Sequence, residues 1–199
     1  MASFVVIYDA CVLYPAQLRD LLLRVAHTGV VRARWTDDIL DECFRALKRN
    51  RPDLDDSKLA RTRSLICGAV DDSMVTGHRR LIDSVTGIPD QNDRHVVAAA
   101  IHAKAQVIVT SNLRHFPSEA LEPWDIEAKH PDDFLADTID LAPGLVVTAV
   151  TEMRDALKDP PKTIDELIDD FDRAGLVQTA SRLRSIFTGA ATWRGTDRG

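Results

Sequence analysis

The stretch that decides the fold is FVVIYD at residues 4–9, a continuous apolar run closed by an aspartate. Runs of branched and aromatic residues are typical of strands that are buried on both faces, as in parallel sheets. A second run of this kind, QVIVT, occupies residues 106–110. Apolar residues recur at helical spacing after Pro15, Thr36 and Pro89. The sequence therefore predicts an α/β fold with a central, mainly parallel sheet flanked by helices.

The pattern changes beyond Asp140. Residues 143–157 predict a helix, the Pro160-Pro161 pair interrupts it, and Thr163 can cap a further helix that Gly175 separates from a last one. The last two helices are expected to form a helical hairpin. We therefore expect a main α/β domain, a C-terminal helical extension and a flexible tail, at residues 1–140, 141–190 and 191–199.

Charge and composition exclude several classes of protein. The chain has 25 Lys and Arg against 31 Asp and Glu, a formal net charge of −6, which argues against tight nucleic-acid binding by bulk positive charge. The first residues lack a basic segment and Asp9 breaks their apolar run, so neither a signal peptide nor a membrane span is expected. Three cysteines without CxxC spacing favour reduced core thiols. We expect a cytoplasmic protein with no membrane association.

Polar side chains gather where the predicted strands end. Asp9 directly follows the first strand, and the Thr110-Ser111-Asn112 segment ends the second. Two further acidic groups lie near predicted helix starts, namely Glu42 and the pair Asp90 and Asp93. Because ligands of open parallel sheets bind beyond the carboxyl ends of the strands, these residues are candidates for a site.

Carboxylates collected in one crevice repel each other unless a cation is present. Oxygen ligands without a Cys or His cluster favour Mg²⁺ or Mn²⁺ over zinc. Such an ion can activate a water and neutralise charge on a phosphodiester during in-line displacement. Each acid also has a structural alternative. Asp9 can cap the following turn, Asp90 and Asp93 can complement a helix dipole, and periodicity alone places Glu42 on a solvated face.

Four segments, taken in order, resemble the PIN-domain nucleases, and most of all the VapC toxins of bacterial toxin–antitoxin pairs. They are IYDACVLYP around Asp9, WTDDILDECFRAL around Glu42, IPDQNDRHVVAAAI around Asp90 and Asp93, and VTSNLRHFP from Val109. The resemblance covers about residues 4–135, and the DPPKTIDEL segment resembles the helical extension of one longer VapC subgroup. It implies a three-layer PIN-like fold and a Mg²⁺- or Mn²⁺-dependent endoribonuclease, a hydrolase of RNA phosphodiester bonds.

The resemblance also implies roles for the acidic residues. Asp9, Glu42 and Asp93 match the acidic metal-site positions of the family, and Asp90 matches an additional acid of this subgroup. The metal ligands expected from this match are Asp9, Asp90 and Asp93. Asn112 stands where many relatives carry a fourth aspartate. An amide ligates more weakly than a carboxylate, so a site with one ion and a site with two both stay open.

Neighbouring polar residues are candidates for contacts with the substrate. Thr110 and Ser111 match polar positions beside the fourth acid and could orient a water or a ligand, and Arg114 and His115 are candidates for substrate contact. The basic run that contains Arg45 and Arg49 is interpreted either as a set of phosphate contacts or as a solvated charged face. His95 and His102 have no acidic neighbour at ligand spacing and are interpreted as surface or core histidines.

The expected partners follow from the resemblance alone. They are an RNA substrate, a cognate VapB-like antitoxin and a second copy of the chain, since relatives are commonly dimeric. One alternative is a catalytically weak PIN-fold protein that binds RNA or a partner without cutting, which Asn112 keeps open. A phosphatase of the haloacid-dehalogenase type is disfavoured, because its motif needs a second aspartate where this chain has Cys11.

Overall fold

The computed structural model describes the backbone of residues 4–195 and the side chains of residues 4–189. Within that part of the chain, four strands form one sheet in which every pairing is parallel. The strands are β1 Phe4–Tyr8, β2 Val31–Arg34, β3 Val107–Val109 and β4 Glu127–Lys129. Their order is β2-β1-β3-β4, so the two strands identified by their apolar runs lie at the centre. The predicted α/β class with a parallel sheet is confirmed.

The helices in the described residues are named in chain order. They are α1 Ala10–Leu13, α2 Ala16–His27, α3 Asp37–Asn50, α4 Asp56–Ala69, α5 Arg94–Ala103, α6 Ser118–Leu121, α7 Pro131–Leu141, α8 Pro143–Ala156, α9 Ile164–Arg173 and α10 Val177–Gly195. Thr36 caps α3 by accepting a hydrogen bond from the Ile39 N–H at 3.1 Å. The predicted helix after Pro89 begins with a 3₁₀ turn over Gln91–Asp93 before α5 starts.

The central strands are buried, as their apolar runs predict. Val6, Ile7 and Tyr8 have no solvent exposure, and the Tyr8 ring stacks on the buried Trp35 with ring centroids 6.3 Å apart. Tyr8 pairs with Val109 of β3, and the N–H of Asp9 donates to the Val109 carbonyl at 3.1 Å. The carboxyl ends of β1 and β3 therefore lie side by side.

Contacts within the chain divide it into two compact units, Met1–His130 and Pro131–Gly199. The first holds the sheet. The second consists of α7–α10, so it contains the predicted hairpin of α9 and α10 together with two more helices. Its core includes Phe134, Val150, Phe171 and Leu183, which are all buried.

The second unit begins ten residues before the predicted boundary between residues 140 and 141, because the unpredicted helix α7 packs with α8 and α10. The functional division into a nuclease domain and an extension stays a prediction. In the predicted tail, the backbone of α10 continues to Gly195, and residues 196–199 lie outside the described part. No single helix in the described residues is long and apolar enough to cross a membrane; α7 and α8 pass that test only together, as a pair bent by 120°.

Candidate metal centre

Asp9 ends β1 and is almost wholly buried, with 4% of its surface exposed. Its Oδ1 accepts a hydrogen bond from the Ala10 N–H at 2.7 Å and so caps α1. Its Oδ2 accepts from the Thr110 hydroxyl at 2.7 Å and from the Cys11 thiol at 3.2 Å. The structural alternative for Asp9, a helix cap, therefore exists together with its place at the sheet edge, and the carboxylate is held rigidly.

The electrostatics of Asp9 follow from this environment. Burial raises the pKa of Asp9 above its ordinary value, and the nearby charge of Glu42 adds to the rise. The hydrogen bonds from Thr110, Cys11 and the Ala10 N–H lower the pKa and oppose these effects. An acid whose ionised form is disfavoured by burial but held by three donors is typical of sites that accept a positive charge.

Cys11 has a role that the sequence interpretation missed. Its Sγ lies 3.3 Å from the Thr110 Oγ1 and accepts a hydrogen bond from the Ser111 N–H at 3.2 Å. Burial raises the pKa of the Cys11 thiol to about 12, so the thiol keeps its proton at neutral pH and can donate to Asp9. The sequence feature that could have indicated this role is the position of Cys11 two residues after Asp9, within the first turn beyond the strand.

Asp90, Asp93 and His115 converge on one point from two separate turns. The Asp90 Oδ1 accepts from the Asn92 N–H at 2.9 Å, and the Asp93 N–H donates to the Asp90 carbonyl at 3.0 Å, which places both acids on one 3₁₀ turn. The His115 Nδ1 lies 2.7 Å from the Asp93 Oδ2. One potential ligand atom from each of the three side chains lies within 4.8 Å of the other two.

This group fits a divalent cation. Two carboxylates and an imidazole are ordinary ligands of such ions, and all three side chains are partly exposed, which leaves room for water or substrate. Burial raises the pKa of Asp93, and the charges of Asp9 and Asp90 raise it further, whereas His115 opposes the rise. A cation at this point would relieve that repulsion. Asp9 acts on the group through its charge and is not one of the three converging side chains.

Glu42 projects from α3 and lies near His95. Its side chain is 46% exposed, and the His95 Nε2 lies 3.6 Å from its Oε2. Sequence spacing gave His95 no acidic neighbour, and this contact was missed because α3 and α5 are far apart in sequence but bring the two side chains together. The His95 Nδ1 is buried and has no hydrogen-bond partner in the described residues.

An open cleft of about 1150 Å³ lies over the group. Its acidic and polar lining includes the predicted site residues Glu42, Asp90, Asp93, Asn112 and His115. Its basic lining residues are Arg45, Lys48, Arg49 and Arg79. Lys48 pairs with Asp56, and Arg79 pairs with Asp38, whereas Arg45 and Arg49 form no ion pair with the residues that the structure describes.

Residues 5–114, more than half of the chain, match the family model described as the PIN domain. The chain belongs to the PIN-domain family. Within this PIN domain, the matched residues include the carboxyl ends of β1 and β3 and all the site residues predicted from the sequence except His115, which lies one residue beyond the match.

Residues 131–185 match a second family model, described as the VapC50 C-terminal domain. A curated protein of Mycobacterium tuberculosis (strain ATCC 25618 / H37Rv), "Putative ribonuclease VapC50", is 46% identical over 95 residues, which are 48% of this chain and 56% of that protein. The match thus spans just over half the length of the curated relative. The resemblance to the longer VapC subgroup with a helical extension is confirmed. No solved structure is significantly similar to the chain.

The remaining predicted residues have distinct places in the PIN domain. Thr110 is fully buried, and its hydroxyl donates to Asp9 and accepts from the Asn112 N–H at 3.0 Å. Ser111 is exposed and contributes its backbone N–H to Cys11. Arg114 is exposed on the 3₁₀ turn Leu113–His115. Neither Ser111 nor Arg114 is among the lining residues of the cleft.

Proposed function

We propose that this PIN-domain protein is a metal-dependent endoribonuclease that hydrolyses RNA phosphodiester bonds, and that it is the toxin of a type II toxin–antitoxin pair. The observation that carries the proposal is the convergence of Asp90, Asp93 and His115 in an open cleft beside Asp9. Two carboxylates and an imidazole are ordinary ligands of a divalent cation. The similarity to a protein named as a VapC ribonuclease supports the same reading.

We propose a separate role in hydrolysis for each of the site residues. We propose Asp9, Asp90 and Asp93 as the residues that hold Mg²⁺ or Mn²⁺, which when bound activates a water and neutralises charge on the phosphodiester. Asp9 is fixed by the Thr110 hydroxyl and the Cys11 thiol, so its carboxylate keeps one orientation. We propose that Glu42, half exposed at the cleft, orients the attacking water and that Asn112 offers an amide oxygen to the ion or to the substrate.

The proposed substrate fits the charge distribution of the cleft. Bulk charge disfavours RNA, since the net charge is −6. Arg45 and Arg49 line the cleft without an ion-pair partner in the described residues and are therefore available to the phosphates that flank the cut. We propose that RNA binds through these few contacts and the metal site rather than through a broad basic surface.

The proposed partners rest on the resemblance to VapC proteins. We propose a VapB-like antitoxin that inserts a segment into the acidic cleft, a homodimer in solution and a cytoplasmic location without membrane association. Co-expression tests the antitoxin. Growth arrest on expression of this chain should disappear when the product of the adjacent gene is expressed with it, and arrest that persists would count against the pairing.

The nuclease is tested with the purified chain and structured RNA in the presence of Mn²⁺ or Mg²⁺. The Asp93→Asn variant is expected to lose most of the cleavage, because it removes a carboxylate at the point of convergence. The matched control is Asp83→Asn, which deletes the same charge at an exposed position that does not line the cleft. EDTA is expected to abolish cleavage by the unaltered chain.

The outcomes separate the two functions that the sequence left open. Cleavage that survives both EDTA and Asp93→Asn would overturn the proposed site. RNA that binds with measurable affinity but stays uncut under every metal condition would favour the alternative, a PIN-fold protein that binds without cutting. Loss of cleavage in both variants would point to a general effect of charge rather than to the proposed site.

A further inference from the structure

We infer that His115 is itself a ligand of the cation, which gives this site a mixed oxygen–nitrogen donor set and a preference for transition-metal ions such as Mn²⁺ and Co²⁺ over Mg²⁺. The inference rests on the proposed function, because it concerns the ion of the same site. It departs from the sequence interpretation, which assigned oxygen ligands alone and placed His115 against the substrate.

The first support is the geometry of the donor atoms. Adjacent ligands of an octahedral ion with bonds of about 2.1 Å lie about 3.0 Å apart, and opposite ligands about 4.2 Å apart. The His115 Nδ1 and the Asp93 Oδ2 are 2.7 Å apart, and the three side chains offer ligand atoms within 4.8 Å of one another. The imidazole and the carboxylates therefore need to move by only a few tenths of an ångström to 1 Å to surround one ion.

The second support is the way the ring is held. His115 ends a 3₁₀ turn, and its N–H donates to the Asn112 carbonyl at 2.8 Å. The next residue, Phe116, is buried with 3% exposure and anchors the turn. The His115 side chain is 26% exposed and faces the cleft. The ring is thus positioned by the backbone while one side stays open, as a ligand requires.

The third support is the place of Asn112, the residue that departs from the acidic pattern. Asn112 and His115 belong to the same turn, and both line the cleft. An amide supplies a weaker ligand than a carboxylate where the family carries an acid. An imidazole from the same turn restores a strong donor, but of a different kind, since transition-metal ions accept nitrogen ligands more readily than Mg²⁺, which prefers oxygen.

The rival explanation is that His115 is a counter-ion which neutralises Asp93 in place of a metal. The two explanations differ in what a metal does to the ring. A ligand shares its nitrogen lone pair with the ion, whereas a counter-ion must be displaced before the ion can bind. Removal of His115 should weaken binding of a transition metal in the first case and strengthen it in the second.

The experiment uses the full chain with Mn²⁺ as the probe and pulsed electron paramagnetic resonance as the readout. We expect a ¹⁴N coupling typical of a directly bound imidazole, which should be lost in His115→Ala and kept in His27→Asn, a control histidine on α2 outside the cleft. Calorimetric titration with Mn²⁺ and with Mg²⁺ then gives the preference. His115→Asp, which makes the donor set all oxygen, should lower the ratio of Mn²⁺ to Mg²⁺ affinity by about tenfold or more, since even side chains that only orient a ligand typically change metal affinity by about 10–100-fold.

The results distinguish this inference from the proposed function. Mn²⁺ that binds without ¹⁴N coupling, with an affinity ratio unchanged in His115→Asp, would overturn the histidine ligand and leave a metal-dependent nuclease intact. Tighter Mn²⁺ binding by His115→Ala would identify the ring as a counter-ion and would also refute the inference. Absence of any metal binding by the unaltered chain would overturn both the ligand and the metal dependence proposed above. Circular dichroism of each variant checks that the chain is folded.

Discussion

The hydrogen bond from Thr110 to Asp9 allows a quantitative prediction of how much the free energy of unfolding falls when the donor is removed. Both residues are buried, with exposures of 0% and 4%, and the hydroxyl lies 2.7 Å from the Asp9 Oδ2. Thr110→Val keeps the shape of the side chain and removes the donor, which leaves the Cys11 thiol as the remaining donor to that oxygen in the described residues. A hydrogen bond to a charged group is worth about 1.5–3 kcal/mol, so we expect a loss of about 2 kcal/mol in the free energy of unfolding at neutral pH.

The same bond couples this loss to pH. The Thr110 hydroxyl lowers the pKa of Asp9 against the effect of burial. The loss of a hydrogen bond to the ionised form raises the pKa of Asp9 in the variant above its value in the unaltered protein. Below the folded pKa of the unaltered protein Asp9 is protonated in both proteins, and the variant loses only a neutral hydrogen bond. The destabilisation should therefore grow as pH rises through that pKa and level off above the higher pKa of the variant.

The assay is urea unfolding in EDTA, followed by fluorescence at several pH values between 4.5 and 8.5. The free energy of unfolding is expected to fall by about 2 kcal/mol per molar urea. Trp35 is a suitable reporter, because it is fully buried and stacks on Tyr8 at the end of β1. On that slope, the expected loss moves the unfolding midpoint by about 1 M at the highest pH. Thr110→Ser keeps the donor and should recover most of the midpoint.

Two results would refute the reasoning. A loss below about 0.5 kcal/mol at every pH would mean that the hydroxyl contributes less than an ordinary neutral hydrogen bond. A loss of full size that does not vary with pH would mean that the cost arises from packing of Thr110, and that the bond does not stabilise the charge of Asp9.

Three further predictions concern other parts of the chain. Thr36→Ala should cost about 1 kcal/mol of stability by removing the cap of α3, with Thr36→Ser as a silent control in urea unfolding. Combined Arg45→Gln and Arg49→Gln should weaken RNA binding and reduce the slope of log affinity against log salt by about 1.4, two phosphate contacts at about 0.7 each, as measured by fluorescence anisotropy. Asp132→Ala should destabilise the C-terminal unit by about 2–3 kcal/mol in thermal unfolding, because the Asp132 carboxylate accepts hydrogen bonds from backbone N–H groups at the start of α10.

The central sheet could be predicted because β1 and β3 are buried on both faces. Such strands carry continuous apolar runs, and these are visible without knowledge of their partners. The helices that were predicted have local signals, as in α9, where Thr163 and Glu166 form a capping box. Local chemistry decides these elements, so a single sequence is enough to find them.

Other elements depend on contacts that a single sequence does not reveal. The one-turn helix α1 is held by the Asp9 cap, and α7 belongs to the second unit because of its packing with α8 and α10. The buried Asp132 makes α7 look polar at its start, although its carboxylate is satisfied by α10. The two partners, Asp132 and Thr179, lie 47 residues apart in sequence, so no local sequence pattern predicts their contact.

One part of the site could likewise be predicted from the sequence, and another part depends on distant contacts. Convergence of Asp9 with the segment after β3 follows from the geometry of parallel strands and was predicted. The contact between His115 and Asp93 joins two 3₁₀ turns, each set by its own backbone hydrogen bonds. Their meeting point depends on the path of the chain between them, so the sequence identified His115 as polar and near the site but not as a neighbour of Asp93.

The burial of the acids explains why they differ in role although they carry the same charge. Asp9 is enclosed, and its two oxygens already accept hydrogen bonds from three protein donors. Asp93 and Asp90 are partly open, and the charge of Asp9 disfavours ionisation of Asp93. A cation that binds Asp90 and Asp93 is therefore also attracted by the charge of Asp9, because it relieves the repulsion between Asp9 and Asp93. His115 is the protein group that opposes this repulsion among the groups acting on Asp93. In the proposed site the enclosed Asp9 is the ligand with a fixed orientation, and the more accessible acids are the ligands that can adjust to the ion. The affinity for the ion should therefore depend on Thr110 and Cys11, which hold Asp9, even though neither needs to touch the ion.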